Sequence, residues 1–253
     1  MTQYALYREP TPLDSTAHRQ LRLTGGPDLS VASRIHACFL AVAEFMPASR
    51  EFVIAFVRDQ VDGRAQVQPI VILGVSEGEN LFVQAASGSP WEAAYVPAYL
   101  RRYPFWTATV EGLAAPAVMF DQWWKGFSTT QGERLYDDAG QPTARLNDVL
   151  GFLEQFDGEA TRTLLACTRI AELELLREMS ANATLPDGRT LTLGGFLVID
   201  EKKLQDLPDA QVIELHRNGI LSLIYAHLNS LGNLQTLAER KARRMGAAAS
   251  AAN

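Results

Sequence analysis

The chain has 253 residues, of which 47% are hydrophobic and 21% are charged, so it can bury a sizeable core and is not disordered as a whole. Its formal net charge of −6 argues against a nucleic-acid partner, which would need a basic face. No apolar run approaches the roughly 20 residues that cross a bilayer. The N-terminal sequence MTQYALYREPTPLDS has neither a basic start nor an apolar signal core, so we expect a cytoplasmic protein.

The first half of the chain carries the apolar runs and turn signals of β-strands. Residues 1–30 are polar and turn-rich, which indicates an N-terminal arm that either docks on the body or stays loose. Residues 52–57 and 67–73 flank a polar turn and are predicted to pair as antiparallel strands. Further strands are predicted over 80–84, 106–110 and 117–120.

Between these strands lies the part of the chain richest in aromatic residues, glycine and proline. Trp91, Tyr95 and Tyr99 recur at helical spacing, which predicts a helix over 91–102. Pro97 lies inside this segment, so the helix should be short or bent. Trp91 is a large aromatic residue at its start, and we expect it to be mostly buried.

In the second half the apolar residues follow the 3.6-residue period of helices. Residues 144–179 are predicted to form two helices with a break at Gly158. Residues 190–199 are predicted to form a strand–turn–strand with Gly194 and Gly195 in the turn. Two more helices are predicted over 208–219 and 221–234.

These elements predict an α+β fold, a single compact domain with a mainly antiparallel sheet in the first half and helices from the second half packed on it. Residues 52–120 and 190–199 should contribute strands to one sheet. The predicted domain covers 31–240, between the arm of 1–30 and a disordered tail of 241–253.

No motif in the sequence names a reaction. The glycine turns lack the spacing of nucleotide-binding loops, the four histidines have no H-E-x-x-H motif or cysteine pair beside them, and no G-x-S-x-G elbow is present. Cys38 and Cys167 are expected to be buried, reduced thiols rather than a disulfide or a reactive pair. We therefore expect no cofactor and no metal.

An arginine pair among aromatic residues is the strongest candidate for a binding site. Guanidinium groups beside aromatic faces are typical of a pocket for an anion or an aromatic molecule. We predict a site where this segment meets the last helix, formed by Trp91, Tyr95, Tyr99, Arg101, Arg102, Tyr103 and His227. The alternative is that the arginines point into water at the helix end and that His227 donates to a backbone carbonyl.

Two neighbouring tryptophans, Trp123 and Trp124, lie in the aromatic motif DQWWKGF. Three interpretations stay open for them. They line the same pocket, belong to an ordinary aromatic core, or form an exposed patch that binds a partner protein.

Five motifs, in this order and at these spacings, resemble the SapC family of bacterial proteins over roughly residues 4–240. They are ILGVSEGENLFV, W-x-x-x-YVPAYLRRYPF, GERLYDDAGQPT, GGFLVIDEKKLQDL and GILSLIYAHLNSLGNL. Members of this family are often encoded near flavin-dependent tryptophan halogenases, cupin-like proteins and outer-membrane receptors. The resemblance therefore implies an accessory role in the uptake or modification of a small molecule, and it implies no catalytic residues.

Two hypotheses of function from different classes follow. The first is a soluble accessory or binding protein that recognises a small anionic or aromatic molecule or a partner protein. The alternative is an enzyme of an unrecognised type that uses His227, Asp200 or Arg102, whose titratable groups would then converge in a cleft. A third, a surface-layer component as the family name implies, is disfavoured because the sequence shows no export signal.

Overall fold

The computed structural model describes residues 6–26, 28–61, 64–84, 91–110, 112, 116–184 and 190–251. In chain order the strands are β1 (Pro10–Pro12), β2 (Arg22–Leu23), β3 (Ala37–Phe39), β4 (Val53–Val61), β5 (Arg64–Ile72), β6 (Phe105–Ala108), β7 (Ala117–Asp121), β8 (Phe127–Ser128), β9 (Glu133–Arg134), β10 (Leu176–Thr184) and β11 (Thr190–Ile199). The helices are α1 (Phe45–Ala48), α2 (Ala98–Arg101), α3 (Ala144–Glu172), α4 (Glu201–Gln205), α5 (Asp209–Arg217), α6 (Ile220–Ser230) and α7 (Asn233–Ala251). Antiparallel sheets in the first half and helices in the second make a single compact α+β arrangement, as predicted.

The largest sheet has five strands in the order β10-β11-β4-β5-β3. β4 and β5 pair over their whole lengths, from Val53 opposite Ile72 to Val61 opposite Arg64, which confirms the predicted antiparallel pair. Residues 53–56 are buried on both faces of this sheet. That burial explains why β4 begins with a continuous apolar run instead of an alternating one.

β10 and β11 form a long antiparallel hairpin where the sequence predicted the end of a helix and a short hairpin. Residues 176–179 belong to β10 and are not helical. Gly194 and Gly195 lie inside β11 and not in a turn, since the register shifts there and both face Ser180. This is a β-bulge, and Gly195 supplies its left-handed φ of 82°.

The prediction of one sheet from residues 52–120 and 190–199 is wrong, because the described part of the chain contains three sheets. β7 lies between β1 and β6 in the second sheet, and β2 lies between β8 and β9 in the third. Leu6 and Tyr7 are buried. Of the two alternatives for the N-terminal arm, residues 6–26 therefore adopt the docked one.

α3 is one unbroken helix of 29 residues, although the sequence predicted a break at Gly158. Thr143 caps its start by accepting a hydrogen bond from the backbone N–H of Leu146. A Cβ added at Gly158 would meet no atom within 4 Å, so this glycine lies on the open face of the helix. It lowers helix propensity without ending the helix, because the other face of α3 packs on β5.

The sequence predicted a disordered tail over 241–253, but residues 241–251 continue α7, and 252–253 lie outside the described residues. Lys241 Nζ lies 2.7 Å from Glu79 Oε1. Arg244 donates two hydrogen bonds, of 2.6 and 2.8 Å, to carbonyl oxygens of the segment 80–83. Basic side chains therefore attach this helix to the chain that follows β5.

Candidate ligand pocket

The helix predicted over 91–102 is shorter than expected. Its helical part is α2 alone, and Trp91 instead forms an isolated β-bridge with Val83. Between Trp91 and α2, the Glu51 carboxylate fixes the chain. It accepts hydrogen bonds of 2.9 Å from the backbone N–H groups of Ala94 and Tyr95. Pro97 directly precedes α2. A proline disfavours the helical conformation of the residue before it, here Val96, so the helix begins only at Ala98.

Glu44 is a buried carboxylate that fixes the first turn of α2. Its Oε1 accepts hydrogen bonds of 2.7 Å from the Tyr95 hydroxyl and from the backbone N–H of Ala98. Its Oε2 accepts one of 3.1 Å from the N–H of Ala41, and Arg101 Nη2 lies 4.0 Å from Oε1. These donors compensate the buried charge, so Arg101 and the first turn of α2 are held in a defined orientation.

Arg102, which follows α2, is the buried cation of this region. It is 5% exposed, and its guanidinium carbon lies 4.4 Å from the ring centre of Tyr99 and 4.7 Å from that of Phe156. Its Nε and Nη2 are buried and have no acceptor among the described residues. The two rings stabilise the cation through cation–π attraction but leave these N–H groups unsatisfied.

The phenols beside Arg102 do not supply its missing counter-charge. Burial raises the pKa of Tyr7 and of Tyr99, and the nearby Arg102 opposes the rise in both cases. Both phenols therefore stay neutral near neutral pH. Within the described ranges Arg102 makes no ion pair with a carboxylate, so the groups that surround its charge are neutral aromatic side chains.

A pocket of about 180 Å³ opens beside Arg102. The charged side chains that line it are Arg101, Arg102, Arg145 and Asp148. The aromatic ones are Tyr103, Phe105, Trp124 and Phe152. The segment that follows β2, with Gly25 and Gly26, contributes a further wall. The pocket thus combines an excess of positive charge with aromatic walls.

α3 supplies one wall from a single face of its first three turns. Arg145, Asp148, Val149 and Phe152 occupy positions i, i+3, i+4 and i+7, which places them on one side of the helix. The charged members come first along the helix and the apolar members follow. This wall therefore changes from polar to apolar along the pocket.

The two neighbouring tryptophans occupy different environments. Trp124 is buried and lines the pocket, where its ring meets the Phe127 ring edge to face with 4.9 Å between centres. Trp123 is 41% exposed, and the Arg8 guanidinium carbon lies 3.7 Å from its ring centre. Trp124 thus matches both the pocket and the core interpretation, and Trp123 matches the exposed patch.

Asp121 is a fully buried carboxylate that sequence reasoning did not single out. It accepts hydrogen bonds from the Tyr103 hydroxyl at 2.9 Å and from the backbone N–H groups of Glu9 and Arg8 at 2.9 and 3.2 Å. It therefore joins a pocket residue to the N-terminal segment. Its signal in the sequence is an acid that directly follows the apolar strand residues VMF.

A family model named SapC matches residues 13–237 of the 253-residue chain. The chain belongs to the SapC family. No curated protein and no solved structure matches it. The region matched by the SapC model contains all the residues that line the pocket and ends before Lys241 and Arg244 of α7.

In this SapC protein, part of the predicted site lines the pocket, namely Arg101, Arg102 and Tyr103. Tyr99 belongs to the same cluster because it stacks on Arg102. Arg145 and Phe152 of the α3 wall were missed. Side chains on one face of an amphipathic helix are first interpreted as core, and only the packing of α3 beside α2 identifies them as pocket residues.

Trp91 and Tyr95 are not among the residues that line the pocket. Trp91 is buried, which confirms the prediction for it, and its ring lies 6.1 and 6.0 Å from the rings of Phe52 and Phe82. Its Nε1 donates a hydrogen bond of 2.9 Å to the carbonyl of Tyr95. Both residues therefore support the segment that leads into α2.

His227 also lies away from the pocket lining. Its Nε2 accepts a hydrogen bond of 3.1 Å from the N–H of Ile199, so Nδ1 carries the proton and donates to the carbonyl of Ile54 at 2.9 Å. Burial lowers the pKa of His227 to about 4. His227 therefore follows the alternative from the sequence analysis, in which its imidazole donates to a backbone carbonyl instead of facing a ligand.

The remaining candidates for chemistry are buried or dispersed. Cys38 and Cys167 are free, buried thiols, as predicted, and burial raises the pKa of Cys167 to about 12. Among the described residues, no cluster of three or more His, Cys, Asp or Glu side chains could hold a metal ion. None of the helices within the described ranges combines the length and the apolar character of a membrane span.

Proposed function

We propose that this SapC protein is an accessory binding protein whose pocket recognises a small anionic molecule with a flat, apolar part. The observation that carries the proposal is Arg102, a guanidinium that is 5% exposed, lines the pocket and has no carboxylate partner among the described residues. A buried charge without a partner costs several kcal/mol. A bound anion at this position would offset that cost.

The composition of the lining supports the same proposal. Three arginines face one aspartate around the pocket, so the local charge favours an anion. The aromatic side chains offer flat apolar surfaces on which an aromatic group can stack. Because Arg102 is buried, its charge interacts with an anion more strongly than a charge at the surface would.

Binding is favoured over catalysis by the protonation chemistry of the same region. An enzyme that transfers protons near neutral pH needs a group with a pKa near the working pH. The pKa of Tyr99 is raised, and His227, a residue that the enzyme hypothesis would use, has both ring nitrogens bonded to backbone groups away from the pocket. The described pocket residues therefore favour a role in recognition.

The wider role follows from the family resemblance. We propose that the protein acts in the bacterial cytoplasm, in an uptake or modification pathway linked to tryptophan-halogenase-like enzymes. Its two free, buried thiols fit a reducing compartment. Trp123, exposed beneath Arg8, is the proposed contact for a partner protein, since exposed aromatic residues with arginine are common at interfaces.

Isothermal titration calorimetry tests the ligand proposal. The wild-type protein is titrated with benzoate, phenyl phosphate, 2-naphthoate and indole-3-acetate, and with the neutral amide or alcohol that corresponds to each. At least one anion should bind about tenfold more tightly than its neutral counterpart, a difference of about 1.4 kcal/mol. A wild-type protein that prefers none of the anions would refute the proposal.

Variants assign the preference to the pocket. Arg102→Met, which keeps the length of the side chain and removes its charge, should abolish the preference for the anion. Arg145→Gln, on the α3 wall, should weaken it and serves as a second variant if Arg102→Met does not fold. Arg58→Gln is the control, because that side chain is 64% exposed and lies outside the pocket lining. A preference that survives Arg102→Met in a folded protein contradicts the proposal.

A further inference from the structure

We infer that the pocket selects a singly charged carboxylate carried on one aromatic ring. This inference rests on the proposed function and narrows its ligand class. Three features of the site lead to it: the edge of Arg102 that lacks partners, the balance of charges around the pocket, and the pocket volume.

The unpartnered nitrogens of Arg102 are Nε and Nη2. On a guanidinium these two N–H groups lie on one edge and point in parallel, which is the arrangement that binds both oxygens of a carboxylate. The rings of Tyr99 and Phe156 lie against the guanidinium, and this edge is the part of it that has no acceptor among the described residues. Both nitrogens are shielded from solvent, so an acid must displace a neighbouring side chain to reach them.

The charges around the pocket leave one cation to be matched. Arg101 has Glu44 at 4.0 Å and donates to the Val96 carbonyl at 3.0 Å. Asp148, which lies on the same face of α3 as Arg145, adds a negative charge to the pocket lining and lowers its net positive charge. Arg102 has no such partner among the described residues. A monoanion balances this charge, whereas a phosphate monoester brings nearly two charges at neutral pH.

The volume limits the body of the ligand. A cavity of roughly 150 Å³ lined by apolar side chains holds one benzene molecule. The pocket here is about 180 Å³. It therefore accommodates a single ring with one small substituent. A fused two-ring acid is larger and would extend out of the pocket, past the aromatic walls formed by Phe105, Trp124 and Phe152, so it would bury a smaller fraction of its surface.

Titration of the full chain with benzoate, phenyl phosphate and 2-naphthoate tests this selectivity. Benzoate should bind at least about tenfold more tightly than either of the other two. If phenyl phosphate binds as tightly as benzoate, the inferred preference for a single negative charge is wrong. If 2-naphthoate does so, the inferred size is wrong. In both cases a preference of these anions over their neutral counterparts would persist, so the proposed function would stand while this inference fails.

Two variants test the geometry. Arg102→Lys keeps the charge but removes the two-pronged edge, so benzoate should bind about tenfold more weakly. Asp148→Asn removes a negative charge from the pocket lining, so phenyl phosphate should gain affinity relative to benzoate. Arg58→Gln should change neither value. If Arg102→Lys binds benzoate as tightly as the wild type, the proposed bidentate contact is wrong. If Asp148→Asn keeps the wild-type ratio of phenyl phosphate affinity to benzoate affinity, the argument from the charges around the pocket is wrong.

Discussion

His227 of α6 connects Ile54 of β4 to Ile199 of β11 through the two nitrogens of one imidazole ring. β4 and β11 are paired directly at a single position, Leu197 opposite Phe56. Ser230, one turn further along α6, accepts a hydrogen bond of 3.0 Å from the N–H of Ile54. Side chains of a helix therefore satisfy strand groups that the sheet ladder leaves free, and they fix α6 against the sheet.

Acidification should destabilise the protein through His227. Burial lowers its pKa in the folded chain from the ordinary 6.5 to about 4, so the unfolded chain takes up the proton first as the pH falls. The stability from this group is present above about pH 6.5 and is lost between about pH 6.5 and pH 4, with a total of about 3 kcal/mol. Urea unfolding followed by circular dichroism across this range measures the loss.

Two glutamine variants assign this pH dependence. His227→Gln should lower the stability at neutral pH and flatten its dependence on pH, because glutamine does not titrate. His216→Gln, at an exposed position of α5, should keep the wild-type slope. An unchanged slope in His227→Gln would show that another group titrates.

The parts of the fold that could be predicted are those with a strong local signal. The pair β4–β5 was predictable because both strands are apolar and flank a polar turn. β10 was not, since its sequence LREMSANAT is mostly polar and its strand conformation comes from pairing with β11. The bulge at Gly195 was interpreted as a turn, because a pair of glycines between apolar runs is typical of both.

The site could be predicted to the same limited extent. The aromatic–arginine composition identified Arg101, Arg102 and Tyr103, because guanidinium groups near rings stand out in one short stretch. His227 was assigned to the same site because it lies on the apolar last helix. Sequence spacing gives the face of a helix but not its partner, and α6 packs on β4 and β11 rather than on α2.

Replacing Gly158 by alanine should stabilise the protein. The added Cβ meets no atom within 4 Å, and the position is inside α3, where glycine costs about 0.5–1 kcal/mol relative to alanine. Chemical denaturation should show a gain of that size. Gly195→Ala is the contrasting variant and should destabilise, because that residue has a φ of 82°. A loss of stability in Gly158→Ala would mean that α3 needs the glycine for a local bend.

The ion pair between Lys241 and Glu79 should contribute more than a typical surface pair. The N–O distance is 2.7 Å, and the two side chains are only 19% and 15% exposed. A double-mutant cycle with Lys241→Met and Glu79→Gln should give a coupling of about 1 kcal/mol or more, which weakens with added salt. A coupling near zero would mean that α7 is held by the arginine contacts alone.

Replacing Gly126 by alanine should displace Trp124 and alter the pocket. A Cβ at Gly126 would lie 2.2 Å from the Trp124 ring atoms Cη2 and Cζ2, so the indole must move. Because the ring is packed against Phe127, we expect a loss of about 1–3 kcal/mol in stability, a changed tryptophan fluorescence spectrum and weaker benzoate binding. Gly151→Ala is the control, since Gly151 lies outside the pocket lining and a Cβ added there would meet no atom within 4 Å. If Gly126→Ala keeps the stability and the fluorescence of the wild type, the Trp124 ring is not held in the pocket wall by this contact.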